Sequence, residues 1–280
     1  MEDAEVWPLD RQKEAVENML RAPDVDDEDD TLGADSLSFD RHRDSAADGA
    51  AAGSRVTWKI LIYDDIGRDI IAPILRVTEL RALGVTLHLS LNSRRQPIPD
   101  VPAVYFVAPT SENIARICED CKNQLYDSMW LNFSSSLPRA ELEALAEGTA
   151  SSGSTSRIAR VFDMYSAFVS LERPLFSLHM RDSFAALNNP RLTERDIEAQ
   201  LERVVSGAMS VIITMRVLPI IRAPRGGPAE MVAAALAARL RELVVGRQSV
   251  LGNAPSLLER PLFVIFDRTL DLPVMLHHTW

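Results

Sequence analysis

From Trp58 onward, short apolar runs alternate with segments of helical periodicity, and this alternation limits the fold more than any other feature of the chain. The runs 58–63 (WKILIY), 85–91 (VTLHLSL) and 103–108 (AVYFVA) are continuously apolar. Such runs are typical of parallel strands that are covered on both faces. Between them, residues 68–84 and 111–126 have helical spacing. The order predicts an α/β fold, with an open parallel sheet that carries helices on both faces.

The rest of the chain continues this alternation with one interruption. Residues 129–135 (MWLNFSS) are predicted as a fourth strand. They are followed by a predicted helix at 137–148 (LPRAELEALAEG), a loop of small residues (TASSGSTS) and a second predicted helix at 157–171 (RIARVFDMYSAFVSL). Strand-like and helical segments then alternate again from LFSLHM (175–180) to PLFVIFDR (261–268). We therefore expect the first part of a second α/β domain to follow the first domain.

The N-terminal segment differs in composition from the rest of the chain. LDRQKEAVENML (9–20) predicts an amphipathic helix that Asp10 can cap, with Val16, Met19 and Leu20 on one face. The acidic run DVDDEDD (24–30) and the polar, small-residue stretch after it contain few large apolar residues, which is typical of a disordered linker. The predicted organisation is a helix at 1–22, an acidic disordered linker at 23–55, domain 1 at 56–165 and the first part of a second domain at 166–280.

Charge and composition exclude several classes of protein. The formal net charge is −10, and the excess of acid lies before residue 56, so the predicted domains are close to neutral. Since nucleic-acid binding needs a basic stripe, we predict no nucleic-acid partner. No apolar run approaches the roughly 18 residues of a membrane span, so direct membrane insertion is not expected. Two cysteines and no secretion signal at the N-terminus indicate a reducing, cytoplasmic compartment.

Three motifs of the sequence are candidates for chemical sites. The turn RAPRGGPAE (222–230) lacks the lysine and hydroxyl of a phosphate-binding loop, and Pro228 removes an amide donor, so it reads as a strand-to-helix turn. The pair Asp64 and Asp65 follows a strand, a position at which paired carboxylates can bind Mg²⁺ in receiver-like α/β domains. Such a domain would also carry an Asp at the end of its third strand, but here that strand ends in YFVAP. Cys118 and Cys121 form a single pair, whereas structural zinc needs four ligands.

No metal, cofactor or catalytic set is therefore predicted. An α/β phosphate- or Mg²⁺-dependent enzyme remains the alternative function, and it would use four residues: Asp64, Asp65, Arg222 and Arg225.

The two predicted helices around TASSGSTS offer a different kind of site. Leu142, Leu145 and Ala146 have the spacing i, i+3, i+4, and Ile158 and Val161 have the spacing i, i+3. The two apolar stripes either pack on each other and on the sheet, or they leave a dimple at the small Ala146. Such a dimple can accept an aromatic anchor of a bound peptide.

Several long strings of the sequence resemble the SM (Sec/Munc) family of SNARE regulators, and within it the Sly-type branch of ER-to-Golgi transport. They are WKILIYDDIGRDIIAPILRVTELRALGVTLHLSLNSRRQPIPDVPAVYFVAPTSENI, LYDSMWLNFSSSLPRAELEALA, PIIRAPRGGPAEM and FVIFDRTLDLPVMLHHTW. The similarity runs from Val56 to Trp280, and the helix at 9–20 also resembles the N-terminus of that branch.

The resemblance implies a non-enzymatic protein whose first domain binds the N-terminal peptide of a cognate syntaxin. A Phe of that peptide would enter an apolar pocket, and the matching positions here are Leu142, Leu145, Ala146, Ile158 and Val161. It also implies peripheral association with ER and Golgi membranes through SNAREs, without a cofactor. Members of the family are about twice as long, so we expect a chain truncated before the third domain, on which binding of other SNAREs would depend.

Overall fold

The computed structural model describes residues 7–24, 57–245 and 260–277. A five-stranded parallel sheet forms the centre of the first unit, and its strands run in the order β2-β1-β3-β4-β5. The strands are β1 (Lys59–Tyr63), β2 (Val85–Ser90), β3 (Ala103–Val107), β4 (Met129–Phe133) and β5 (Ile158–Asp163). The predicted open parallel sheet is confirmed. The acidic stretch at 25–55, predicted as a disordered linker, lies outside the described residues.

Helices cover both faces of this sheet. The elements are α1 (Pro8–Arg21), α2 (Asp65–Ile74), α3 (Val77–Ala82), α4 (Ser111–Lys122) and α5 (Arg139–Ser151). On one face, Ile117 of α4 and Leu145 of α5 pack against Tyr105, Leu131 and Phe133 of the strands. On the other face, α1, α2 and α3 pack against the alternate strand residues, including Leu61, Val104 and Phe106. The central strands β1, β3 and β4 therefore contribute apolar side chains to two cores, which explains their continuously apolar sequences.

The prediction of a helix at 157–171 was wrong. This segment contains the edge strand β5 and, after a short irregular stretch, the strand β6 (Val169–Glu172). Its β-branched and aromatic residues suit a strand. The i, i+3 spacing of Ile158 and Val161 resembles the periodicity of a helix, and the helix was predicted from it. Pairing with β4 also satisfies an edge of that strand that would otherwise lack hydrogen bonds.

Three details of the helix ends also differ from the sequence prediction. Trp7, not Asp10, is the N-cap of α1, without a side-chain hydrogen bond. Thr110, one residue before the predicted Ser111, caps α4 by accepting from the amide of Asn113 at 3.3 Å. The segment 68–84 is two helices, because Pro73 cannot donate to a continuing helix and the chain becomes extended at Leu75.

A second α/β unit follows the sheet, as predicted. It contains the antiparallel hairpin β6–β7 (β7, Leu175–Ser177), α6 (Ser183–Leu187), α7 (Glu194–Met215), β8 (Ile220–Arg222), α8 (Gly227–Val245) and β9 (Leu262–Val264). Strands β8 and β9 are parallel. A third core, separate from the two sheet cores, is formed by apolar residues of α7 and α8, with Ile221 and Phe263 of the strands packed against it. Among the helices of the described ranges, none combines the length and apolarity needed to cross a bilayer.

Candidate functional site

The five residues predicted as a peptide site lie on α5 and on the edge strand β5. Leu142, Leu145 and Ala146 lie on α5, while Ile158 and Val161 lie on β5. Strand β5 pairs only with β4, so its outer side carries no strand partner in the described part of the chain. The five predicted residues are consequently divided between a helix and a sheet edge, and not between two helices as the sequence spacing suggested.

A β-bulge places both strand residues on the side of the sheet that α5 covers. Met129 of β4 is paired with Ile158, but Trp130 is paired with Arg160, so Ala159 is an extra residue in β5. After this shift, Val161 is paired with Leu131. In-register partners of a parallel pair project to the same face. Because Met129 and Leu131 both belong to the core beneath α5, Ile158 and Val161 share that face despite their spacing of three.

Asp163 holds the start of α5 against the end of β5. Its Oδ1 accepts a hydrogen bond from the amide of Leu137 at 3.0 Å, and its Oδ2 accepts from the hydroxyl of Ser136 at 3.2 Å. No side chain caps α5 at its N-cap Pro138. Burial raises the pKa of Asp163, and these two hydrogen bonds oppose that shift. The carboxylate thus fixes the position of the start of α5 relative to the end of β5.

This anchor also orders the two apolar stripes. Because Asp163 at the end of β5 contacts residues that precede α5, the helix and the strand run in opposite directions. Leu142 is nearer than Ala146 to this contact along α5, and Val161 is nearer than Ile158 along β5. Leu142 and Val161 therefore lie towards one end of the α5–β5 pair, and Ala146 and Ile158 towards the other.

The five residues differ in exposure, which separates their roles. Leu145 is only 2% exposed and belongs to the sheet core, against which the half-buried Ile158 also packs. Leu142 and Val161 are 46% and 39% exposed, and Ala146 is also exposed. Leu145 is accordingly the floor of the groove, while Leu142 and Val161 are apolar surface that a partner can still cover. We call this feature the α5–β5 groove.

The loop between α5 and β5 is held by hydrogen bonds at its start and its end. The hydroxyl of Thr149 donates to the carbonyl of Leu145 at 2.9 Å, and the hydroxyl of Ser152 lies 2.6 Å from that of Ser154. Arg157 donates to the carbonyl of Tyr126 at 2.7 Å. These contacts explain the small polar residues of TASSGSTS without a catalytic role, and they hold α5 next to β5.

On its other side, α5 approaches α4 closely. A Cβ atom placed on Gly148 would lie 2.5 Å from Sγ of Cys118, so the close contact depends on glycine. Cys118 and Cys121 are both free thiols of α4, and burial raises both pKa values, that of Cys121 to about 12. Cys118 packs at the α4–α5 contact and Cys121 packs against Met129 in the sheet core, in line with the packing interpretation of the motif.

Of the four residues of the alternative enzymatic site, Asp64 and Asp65 make structural contacts, while Arg222 and Arg225 are exposed. The carboxylate of Asp64 accepts hydrogen bonds from the amides of Gly67 (2.7 Å) and Ala108 (2.9 Å) and from Nδ2 of Asn113 (2.8 Å). Asp65 pairs with Arg68 on the surface. In the glycine turn, the amide of Gly226 donates to Glu230 at 2.6 Å. The described residues contain no group of three or more acidic, His or Cys side chains that could hold a metal ion.

Sequence reasoning missed Asp163 and Gly148 as parts of the site. Asp163 lies within the segment that was predicted as a helix, where its position at the carboxyl end of a strand could not be recognised. Gly148 lies at the end of a predicted helix, where a glycine is usually interpreted as a terminator. A correct strand assignment for 158–163 would have indicated Asp163, since strand ends commonly carry polar contacts to the next element.

Comparison with known proteins identifies the family. A sequence profile described as the Sec1 family matches residues 59–280. The chain belongs to the Sec1 family. Family relatives include Sec1 family domain-containing protein 1 of mouse and of human, each 46% identical over 233 residues, which are 80% of this chain and 36% of the relative. Protein sly1 of Schizosaccharomyces pombe is 42% identical over 224 residues, 80% of this chain and 35% of its own length. The Sly-type resemblance is confirmed, and the chain spans about a third of these relatives.

Solved structures of the family confirm the fold. The structure of Sly1p in complex with an N-terminal peptide of Sed5p superimposes with a TM-score of 0.80 at 34% identity, covering 99% of this chain and 44% of that one. The Unc18–syntaxin 1 complex of Monosiga brevicollis gives a TM-score of 0.73 at 23% identity, over 98% of this chain and 42% of that one. At that identity the second comparison establishes the architecture only.

Proposed function

We propose that the chain is a SNARE-binding regulator that holds the N-terminal peptide of a cognate syntaxin in the α5–β5 groove. The observation that carries this proposal is the exposure of Leu142 on α5 and of Val161 on the face of β5 that α5 covers, two apolar side chains beside the buried Leu145. The Sec1-family relative with a TM-score of 0.80 was solved with an N-terminal peptide of Sed5p, which supports the same ligand class here.

The groove is suited to an aromatic side chain of the peptide. A ring between Leu142 and Val161 would cover apolar surface on both and rest on the buried Leu145. The small side chain of Ala146 leaves room beside it. Complete burial of such an anchor contributes about 2–3 kcal/mol, which is enough to dominate recognition of a short peptide.

In the cell, we place this activity in vesicle docking and fusion between ER and Golgi. The chain would associate with those membranes peripherally, through the syntaxin, and would act from the cytoplasm. Binding, rather than catalysis, is the proposed mode of action, because the groove is apolar and the acidic residues considered for catalysis are occupied in hydrogen bonds and ion pairs. The names of the Sly1-type relatives support this assignment.

The test is titration of a fluorescent syntaxin N-terminal peptide against the 280-residue chain. Leu142→Glu and Val161→Glu each place a charge in the groove and leave the buried Leu145 intact, so we expect affinity to fall at least about tenfold. Val77→Glu is the matched control, since Val77 is comparably exposed but lies on α3 at the opposite face. A Phe→Ala peptide should bind as weakly as the groove variants.

Equal affinities of Leu142→Glu, Val161→Glu and Val77→Glu would remove the groove from the proposal. Absence of peptide binding by the folded parent chain would contradict the proposed function itself.

A further inference from the structure

The N-terminal helix α1 contacts both α/β units. Val16 and Leu20 are fully buried in the sheet core that also contains Leu61 and Phe106. Towards the second unit, α1 packs against β6, β7 and α7. The helix therefore lies between two structures that follow it in the sequence.

Gln12 makes the most specific contact of α1 with the second unit. Its Nε2 donates to the carbonyl of Phe168 at 2.6 Å and to the hydroxyl of Ser166 at 3.2 Å. Its Oε1 accepts from the hydroxyl of Ser170 at 2.8 Å. The side chains of Gln12, Ser166 and Ser170 are all fully buried. A buried amide that uses both its donor and its acceptor costs little, whereas removal of one partner leaves the others unsatisfied.

Two basic residues fix α1 to the sheet unit. The ammonium of Lys59, a fully buried residue of β1, donates to the carbonyl of Leu20 at 2.6 Å, near the C-terminal end of α1. Lys13 pairs with Glu79 of α3 at 2.5 Å. Asp10, one turn before Lys13, pairs with Arg173 in the β6–β7 hairpin at 2.9 Å. Polar contacts thus join the helix to both units.

We propose that α1 fastens the second unit to the sheet, and that Gln12 is the positioning residue through which it does so. To cover the sheet, α1 would need only its apolar face. The buried amide adds nothing to that cover, because its hydrogen-bond partners all belong to Ser166, Phe168 and Ser170. These residues open the second unit, so their attachment sets where the hairpin β6–β7 lies relative to the sheet.

This fastening is separate from peptide binding. The α5–β5 groove lies on the sheet face covered by α4 and α5, whereas α1 packs on the other face. Loosening α1 should therefore leave the affinity for a syntaxin peptide unchanged, and failure of either proposal would leave the other standing.

Hydrogen exchange of the full chain, followed by mass spectrometry, tests the proposal. In Gln12→Leu, we expect the amides of residues 166–172 to exchange roughly 10- to 100-fold faster, while those of β3 and β4 stay protected. Lys59→Met acts at the other end of α1, eight residues or about 12 Å away from Gln12 along the helix. If α1 transmits the constraint, this variant also accelerates exchange at 166–172.

Glu14→Gln is the control, because Glu14 lies on the exposed side of α1 and its loss should change nothing at 166–172. If Gln12→Leu does not fold, Gln12→Asn shortens the side chain by one methylene and should give a smaller acceleration in the same segment. Unchanged exchange at 166–172 in the folded Gln12 variant would overturn the proposal. So would a Lys59→Met variant that left this segment unaffected, since Gln12 would then act only locally.

Discussion

At the scale of single residues, Asp64 shows how one carboxylate can organise the carboxyl end of a sheet. It caps α2 through the amide of Gly67, and it ties β1 to the end of β3 through Ala108 and Asn113. The same point is too crowded for a side chain at Gly67, where a Cβ atom would lie 2.3 Å from the carbonyl oxygen of Phe106. An acidic residue at this position therefore indicates packing rather than chemistry.

Replacement of Asp64 tests this role. Asp64→Ala removes three hydrogen bonds to a buried charge and leaves their donors unsatisfied, so we expect a loss of about 3 kcal/mol in the free energy of unfolding, measured by urea denaturation. The neighbouring Asp65→Ala should change it by less than about 0.5 kcal/mol, because Asp65 is exposed and pairs with Arg68 at the surface. Similar losses in the two variants would contradict this assignment.

The cysteines give a second prediction at this scale. Burial raises the pKa of Cys121 to about 12, so at pH 8 roughly one thiol in ten thousand is the reactive thiolate. We expect Ellman's reagent at pH 8 to modify Cys118 first and Cys121 only as the chain unfolds. Rapid modification of both thiols in the folded chain would instead favour a redox role for the pair.

At the scale of elements, the sequence predicts four strands of the sheet well and the edge strand β5 poorly. The central strands are buried on both faces, so their apolar runs are unambiguous. The edge strand β5 is only half-covered, and a bulge at Ala159 gives Ile158 and Val161 a spacing that is also helical. The five residues proposed for the groove follow from spacing and resemblance and stay a prediction, whereas the contact of Asp163 with the start of α5 required knowledge of the strand. Bulges depend on pairing, which a single segment does not encode.

The contact between α4 and α5 provides a test of how the groove is held. Gly148→Ala forces a methyl group onto Sγ of Cys118, so we expect about 1–3 kcal/mol of destabilisation from overpacking. The double variant Gly148→Ala, Cys118→Ala should recover part of that loss, because the sulfur is removed. Thermal unfolding of the single and double variants measures both effects. If the loss of stability in the double variant equalled the sum of the losses in the two single variants, the two residues would not be in contact.

At the scale of the whole molecule, stability is divided among three cores. Two lie on the faces of the parallel sheet, and the third joins α7 and α8. The groove belongs to the first of these cores through Leu145. Damage to the third core should therefore reduce stability without changing the binding surface.

Leu236 and Met231 of α8 allow this to be measured. Leu236 is fully buried in the third core, so Leu236→Ala should cost about 2–4 kcal/mol in the unfolding of the second unit. Met231→Ala, at an exposed position on the same helix, should cost much less. The affinity for the syntaxin peptide should be the same in both variants and in the parent chain. A loss of affinity in Leu236→Ala alone would mean that the two units are coupled through their cores.

The position of Gln12 between distant parts of the chain also affects synthesis. Its partner Ser170 lies 158 residues later in the sequence. At about 5–20 residues per second, the ribosome needs roughly 8–30 s to make that stretch after α1 has emerged. During this interval Gln12 has none of its hydrogen-bond partners on the second unit, although the sheet residues that the apolar side of α1 covers are made much earlier. The final position of α1 can therefore be fixed only after residues 166–170 have left the exit tunnel.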